Sequence, residues 1–398
     1  MKYTIGELAD IIDGDRGKNY PQQHEFSEEG YCLFLNTGNV TRSGFSFESN
    51  QFISKEKCDM LRKGKLSRND IVYTTRGTVG NAAFYSESVP YEHVRINSGM
   101  VIIRPNEEIV STRLLYQILK SDYYRPYFKK YCTGSAQPQL PIKNFSEIEL
   151  DLPELANQQH IADILSAYDD LIENNQKQIK LLEEAAQRIY KEWFVDLRFP
   201  GYENTPIVDG VPEGWDKLAI NDIAEYINGY AFKPSDWGNI GKPIIKIREM
   251  GDGVTKDTPR NTGKDIPEKY HIYAGDILFS WSATLSAMIW DGENGLLNQH
   301  LFKVVPNDAF GREYVLQSIL HTLNEFQNLT TGATMKHIQR GKLKEVFVNT
   351  PDKKFMSKYE VLAEPIRQKI LSLKKQNLNL IEARDRLLPK LMSGELEE

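Results

Sequence analysis

The chain has 398 residues, 40% of them hydrophobic and 11% aromatic, which is enough to fill more than one core and excludes global disorder. Its 49 Lys+Arg stand against 55 Asp+Glu, a net charge of −6 that argues against a protein coating nucleic acid without sequence preference. No apolar run is long enough to span a membrane, MKYTIGELAD lacks a signal-peptide core, and Cys32, Cys58 and Cys132 fit neither a zinc pattern nor a closed disulfide set, which points to a reducing cytosol.

In chain order, the first feature is TIGELADIIDG at 4–14, which has a partner, AINDIAEYING, at 219–229. Both carry apolar residues at helical spacing and end in Gly. That predicts a short helix with a left-handed C-terminal turn. Next comes NDIVYTTRGTVGNAAFY from Asn69, matched by GDILFSWSATLSAMIW from Gly275. Each reads as a turn feeding a β-rich run. INSGMVIIRP at 96–105 matches LNQHLFKVVP at 297–306, and Thr133-Gly134 matches Thr331-Gly332. The offsets fall in steps, 215, 206, 201 and 198, as loops of unequal length inside one repeated fold require. Asp70 and Asp276 read as loop-shaping acids. The breakers Phe199-Pro200-Gly201, Pro206, Gly210, Pro212 and Gly214 read as a linker or crossover between the halves.

Each half ends in a long helical segment. Residues 157–194 contain no Pro or Gly, and Leu165, Tyr168, Ile172, Asn175, Ile179, Leu182, Ala186, Ile189 and Trp193 recur at spacings of 3 and 4. Residues 359–391 repeat this seam 198 positions later, through Ala363, Ile366, Ile370, Leu373, Asn377, Leu380, Arg384, Leu387 and Leu391. An Asn at one seam position needs a polar partner. Antiparallel pairing with residue numbers summing to 552 sets Asn175 against Asn377, Ile172 against Leu380, Ile179 against Leu373, Leu182 against Ile370 and Leu165 against Leu387. An intramolecular antiparallel coiled coil is therefore expected. About 38 helical residues reach about 57 Å, one to two turns of a DNA duplex.

Charge is uneven. Residues 1–150 carry net +1, 151–200 net −5, 201–350 net −4 and 351–398 net +2. One basic cluster comprises Lys55, Lys57, Arg62, Lys63, Lys65 and Arg68. Lys120, Arg125, Lys129, Lys130 and Lys143 bracket the first Thr-Gly, and Lys336, Arg340, Lys342 and Lys344 follow the second. Solvated faces account for many such runs, but the last two lie at equivalent places in the repeats, which favours phosphate contact. Gln137 and Gln139 suit adenine edges; Arg42, Arg76 and Arg248 suit guanine edges. Thr78, Ser282, Thr284 and His337 complete the candidate DNA-binding set.

Motifs for covalent chemistry are missing. None of the seven histidines sits in HExxH, and there is no GxxxxGK[ST], no strand-linked GxGxxG, no GxSxG and no Asn/Asp-Pro-Pro-Tyr/Phe. The chain is read as neither an enzyme nor a metal or cofactor binder.

The set QQHIADILSAYDDLIENNQKQIKLLEEAAQRIYKEWF with VDLRFPG, IRQKILSLKKQNLNLIEARDRLLPKLMSGEL, KLSRNDIVYTTRGTVG and GDILFSWSATLSAMIWDGENGLLNQHLFKV resembles the specificity subunit of type I restriction–modification systems, over essentially the whole chain. The resemblance implies an α/β (α+β) fold. It has two tandem target-recognition domains (1–152 and 201–352) and two conserved helical regions (153–200 and 353–398), related by pseudo-two-fold symmetry. It further implies a bacterial or archaeal cytoplasmic protein with no membrane partner, reading a bipartite asymmetric site in double-stranded DNA. Two methyltransferase subunits carrying S-adenosylmethionine, and two restriction/translocase subunits, would be its partners. Arg76 and Thr78 stand where the second half has Ser282 and Thr284, and INSG where it has LNQH, so the two domains are expected to read different sequences. The other reading kept open is a coiled-coil scaffold that binds only proteins.

Overall fold

The computed structural model describes residues 1–134, 137–328, 338 and 340–396, apart from the side chain of Asp252. The chain divides into two compact units, Met1–Asn174 with Gln376–Glu398, and Asn175–Lys375.

Unit 1 is built on a four-stranded antiparallel sheet in the order Ala9–Asp13, Met100–Pro105, Ile71–Thr74, Ala82–Phe84. Ile71 and Tyr73 enter one core with Val101 and Ile103, whereas Val72 enters another with Met100 and Ile102. Both sheet faces are covered, which explains why these strands are apolar throughout instead of alternating. A parallel pair, Cys32–Leu35 with Val94–Ile96, and a terminal pair, Lys2–Thr4 with Glu149–Asp151, complete the unit. The helix Thr112–Lys120 covers one sheet face. Against the same core lie Ile161, Ala162 and Leu165 from the start of the first long helix, and Leu388 from the end of the second.

Unit 2 repeats this plan. Its antiparallel sheet runs Ala224–Asn228, Leu301–Pro306, Ile277–Ser280, Ser286–Ile289. Its parallel pair is Lys242–Ile245 with Gly295–Leu297, and its terminal pair is Asp216–Ala219 with Phe347–Thr350. The helix Arg312–Asn328 takes the place of Thr112–Lys120. The architecture is thus mixed α/β with an internal repeat, as the stepped offsets predict.

The first long helix is Leu155–Tyr190, continued by a π turn over Lys191–Val195; the second is Lys353–Ser393. Every expected seam position is buried or half-buried, Asn175 and Asn377 included, while their neighbours Leu171, Leu181, Leu362 and Leu378 are exposed. In unit 2 the rings of Trp193 and Tyr359 lie 6.0 Å apart. In unit 1 Leu165 and Leu387 pack into one core. Both pairs sum to 552, the expected antiparallel register.

Two expectations need correction. TIGELADIIDG forms a single helical turn, Ile5–Leu8, capped by Thr4 and Glu7, and then becomes the Ala9–Asp13 strand. AINDIAEYING does the same through Ile220–Ile223 and Ala224–Asn228. An isolated turn has little stability of its own, and a neighbouring strand satisfies the following backbone. Second, neither Gly14 nor Gly229 has positive φ. Glycine is needed there because a Cβ would lie 2.3 Å from the Asn97 carbonyl oxygen in unit 1 and 2.0 Å from that of Asn298 in unit 2. The breaker-rich stretch read as a linker or crossover is itself packed. Phe199 is buried with its ring 4.7 Å from Trp215, and Ile207–Val208 pairs with Val211–Pro212 around Asp209 (φ 50) and Gly210 (φ 83).

The obstructing atoms at Gly14 and Gly229 are backbone and cannot rotate away. Gly14→Ala and Gly229→Ala should each destabilise the protein by about 1–3 kcal/mol. Urea unfolding checks this, and an unshifted midpoint would show that the close approach is not a constraint.

Candidate nucleic-acid interface

The turn before each central hairpin is shared. Asn69 and Gly275 both adopt left-handed φ, 70 and 97. Asp70 accepts from the Ser67 N–H and Asp276 from the Tyr273 N–H, at 2.7 and 2.8 Å. Each acid also holds a cation of the neighbouring strand. Arg104 lies 2.8 Å from Asp70, and Lys303 lies 3.1 Å from Asp276. The acids shape the turns, as their sequence context suggests.

The hairpin loop that follows is also duplicated. In unit 1 the Thr74 hydroxyl donates to the Thr78 carbonyl, and Gly77 has φ 71. In unit 2 the Ser280 hydroxyl donates to the Thr284 carbonyl at 2.7 Å, and Ala283 has φ 56. The segment after the first Thr-Gly returns beside this loop in unit 1, and Ile338 holds the corresponding place in unit 2. Leu140 N–H donates to the Thr75 carbonyl, and Ile338 N–H to the Trp281 carbonyl, each at 2.9 Å. Thr75 and Trp281 are 206 apart, Leu140 and Ile338 198 apart, the offsets read from the sequence.

Around the unit 1 loop the expected residues converge. Gln139 exchanges backbone hydrogen bonds with Thr133 at 2.9 and 2.8 Å and bridges Arg76 on its other side. Arg76, Thr78, Gln137 and Gln139 are exposed. Arg42 joins them through Asp122, which it meets at 3.5 Å and which Arg125 meets at 3.0 Å. The Arg125 guanidinium would stand 3.1 Å from a Cβ on Gly80. Lys143 is exposed on the Ile142–Ser146 helix, and its neighbour Asn144 donates to the Tyr131 carbonyl at 3.0 Å.

Unit 2 presents different groups on the same backbone. Thr284 is exposed, but Ser282 is 3% exposed and its hydroxyl faces His300 Nδ1 at 3.4 Å. Ser282 therefore supports the loop and does not present its side chain outward, contrary to the expectation that placed it among the DNA contacts. Arg248 is exposed, with its guanidinium held by the buried Glu249 carboxylate at 2.8 and 3.0 Å. Arg340 is exposed and lines a cavity of about 580 Å³ with Asn221, Glu225, Asn307 and Lys344. Lys336 and His337 lie outside the described residues.

Sequence reasoning passed over His300 and Gln299. His300 stands at the repeat position of Gly99, 201 residues away, and its ring lies 5.9 Å from Trp281. Gln299 is exposed with its amide 3.3 Å from His300 Nε2. The signal was present as LNQH against INSG.

The sequence profile described as "Type I restriction modification DNA specificity domain" matches residues 1–184 and 212–379, one match on each repeat. The chain belongs to this family. It is 25% identical to the HindI specificity subunit of Haemophilus influenzae, over 96% of this chain and 98% of that protein. It is 26% identical to the MjaIX specificity subunit of Methanocaldococcus jannaschii, over 83% of this chain and 78% of that protein. Its fold is similar to the crystal structure of a type I restriction–modification S subunit from M. genitalium, with TM-score 0.50 and 16% identity over 98% and 96% of the two chains.

The basic cluster at the first Thr-Gly is not one surface. The Lys120 side chain is largely covered in unit 1 and pairs with Asp169, which also accepts from Gln117 and, at 2.8 Å, from Arg384. Burial pulls the Lys120 ammonium down to about 8. Burial alone would raise the Asp169 carboxyl, but Lys120 and Arg384 outweigh it and hold it below the ordinary carboxylate range. Lys120 is thus a domain-to-helix tie and not a phosphate contact. Asp169 stabilises the fold above its unfolded-state pKa of about 4, and that contribution is lost as pH falls through its lower folded value. Asp169→Asn leaves two cations facing each other and should cost about 2–3 kcal/mol at pH 7, with the difference from wild type shrinking toward pH 3. Denaturant unfolding at both pH values checks this. An equal loss at both would mean that charge is not the cause.

Proposed function

We propose that the chain is the DNA-recognition subunit of a type I restriction–modification complex, reading one half of a bipartite asymmetric site with each unit. The carrying observation is the duplicated hairpin loop and the backbone hydrogen bond that holds it, with Arg76 exposed in one copy and Ser282 buried in the other. A common backbone that offers different side chains is what two unlike half-sites require. The chain supplies recognition and no catalysis in this reading. Two methyltransferase subunits would bring S-adenosylmethionine and modify adenine, and two restriction/translocase subunits would complete the nuclease. The compartment would be the bacterial or archaeal cytoplasm, and no helix among the described residues is long and apolar enough to cross a membrane.

The long helices would serve as a ruler between half-sites in the antiparallel register, with the Trp193–Tyr359 and Leu165–Leu387 pairs as its support. The net charge of −6 makes the isolated chain a weak phosphate binder, so much of the salt-dependent grip would come from its partners.

Binding of the methyltransferase-bound chain to duplex DNA should be sequence-selective and weaken steeply with salt. Binding that is equal for all sequences, or absent at every salt, would leave only the protein scaffold. Adding one heptad to both long helices should lengthen the tolerated spacer between half-sites, and an unchanged spacer removes the ruler. Exchanging residues 1–150 for those of another family member should change one half-site only; a change in both means the units do not read separately.

A further inference from the structure

We propose that Thr133, Gln139 and Arg76 form one base-reading row in unit 1, in which Arg76 takes a guanine edge and Gln139 the adenine edge of the adjacent base pair. This rests on the DNA-recognition reading above and adds the chemistry of one half-site.

The row follows from the backbone. Gln139 is bridged antiparallel to Thr133 on one side and to Arg76 on the other. Residues directly opposite in antiparallel pairs send their side chains to the same face. Three neighbouring extended segments at about 4.8 Å spacing make a row about 10 Å across, which fits a major groove about 12 Å wide. All three residues are exposed.

The row is also held in place. Thr75 and Arg76 N–H groups both donate to the Gly99 carbonyl, at 2.9 and 3.1 Å, and the Leu140 N–H holds Thr75 from the other side. Gly134, next to Thr133, has φ 85, and a Cβ there would lie 2.9 Å from the Gln137 carbonyl oxygen, so that position favours glycine.

Several other arginines of unit 1 are already engaged. Arg42 and Arg125 share Asp122, Arg104 is held by Asp70, and Arg95 is buried with its guanidinium on the carbonyls of Leu61 and Lys63. No carboxylate among the described residues pairs with Arg76. An exposed guanidinium on a fixed backbone retains its two-pronged donor geometry for guanine O6 and N7, and the Gln139 carboxamide offers the donor and acceptor that match adenine N6 and N7. In unit 2 the Arg76 position is the buried Ser282, so this guanine contact belongs to one half-site alone.

The test uses the full chain with its methyltransferase subunits in the host, with methylated adenines mapped across the genome. Arg76→Ala should relax a single guanine position in one half-site, and Gln139→Ala the neighbouring adenine position. Discrimination at each should fall about ten- to a hundredfold, with the other half-site unchanged. Arg76→Lys should keep the motif with a weaker guanine preference. This also decides the case in which Arg76→Ala abolishes modification: a relaxed motif with Lys supports the row, and none overturns it. A wild-type complex that methylates no bipartite motif would overturn the DNA-recognition reading itself. A normal bipartite motif that both alanine variants leave unchanged, or relax at separated positions or in the other half-site, would overturn only the row.

Discussion

The structure depends on a backbone contact made twice: the hydrogen bond from Leu140 to Thr75, and its copy from Ile338 to Trp281. Each ties a returning segment to the hairpin at the end of a sheet whose two faces are buried. The hairpin cannot drift, because its first strand lies between two others and its loop is closed by a hydroxyl-to-carbonyl bond, from Thr74 or Ser280. At its flank the Gly14–Asn97 and Gly229–Asn298 approaches leave no room for even a methyl group. A rigid mount of this kind lets exposed side chains vary without moving the backbone that carries them, which is the requirement for a recognition surface.

The two units use that freedom in different ways. Gly99 supports the loop of unit 1 through its carbonyl, whereas His300 occupies the equivalent position in unit 2 and packs on Trp281 and Ser282. The attachment of each domain to its helices diverges as well. Asp169 on the first long helix meets Lys120 in unit 1. Arg367, 198 residues later on the second long helix, approaches the buried Glu313 of unit 2 at 3.9 Å. Burial raises the Glu313 carboxyl above its ordinary range. The helix residue thus changes from acid to base between the repeats, and each faces a group of opposite charge in its own unit, although Lys120 and Glu313 do not occupy repeat positions.

Much of this was legible in the sequence. The heptad seams were visible because burial on a helix follows residue spacing alone, and every seam position is sheltered. The repeat was visible because turns need particular residues: Asn69 and Gly275 stand where left-handed φ recurs before a strand. What local pattern could not show was the effect of distant segments. TIGELADIIDG carries helical spacing, yet Met100–Pro105 draws its second half into a sheet. Lys120 looked like one more surface cation, because Asp169 and Arg384 reach it only in the folded unit. Ser282 looked equivalent to Arg76 by position, yet its side chain is buried with the hydroxyl facing the His300 ring.

The central claim is that one fold, present twice, offers two unlike recognition surfaces on the same chain. The most direct measurement is the sequence motif at methylated adenines in the genome of a host carrying the intact system. The account predicts two short specified half-sites of different sequence, separated by a spacer of fixed length and unspecified bases. A contiguous motif, or two half-sites that are the same sequence repeated, would contradict it.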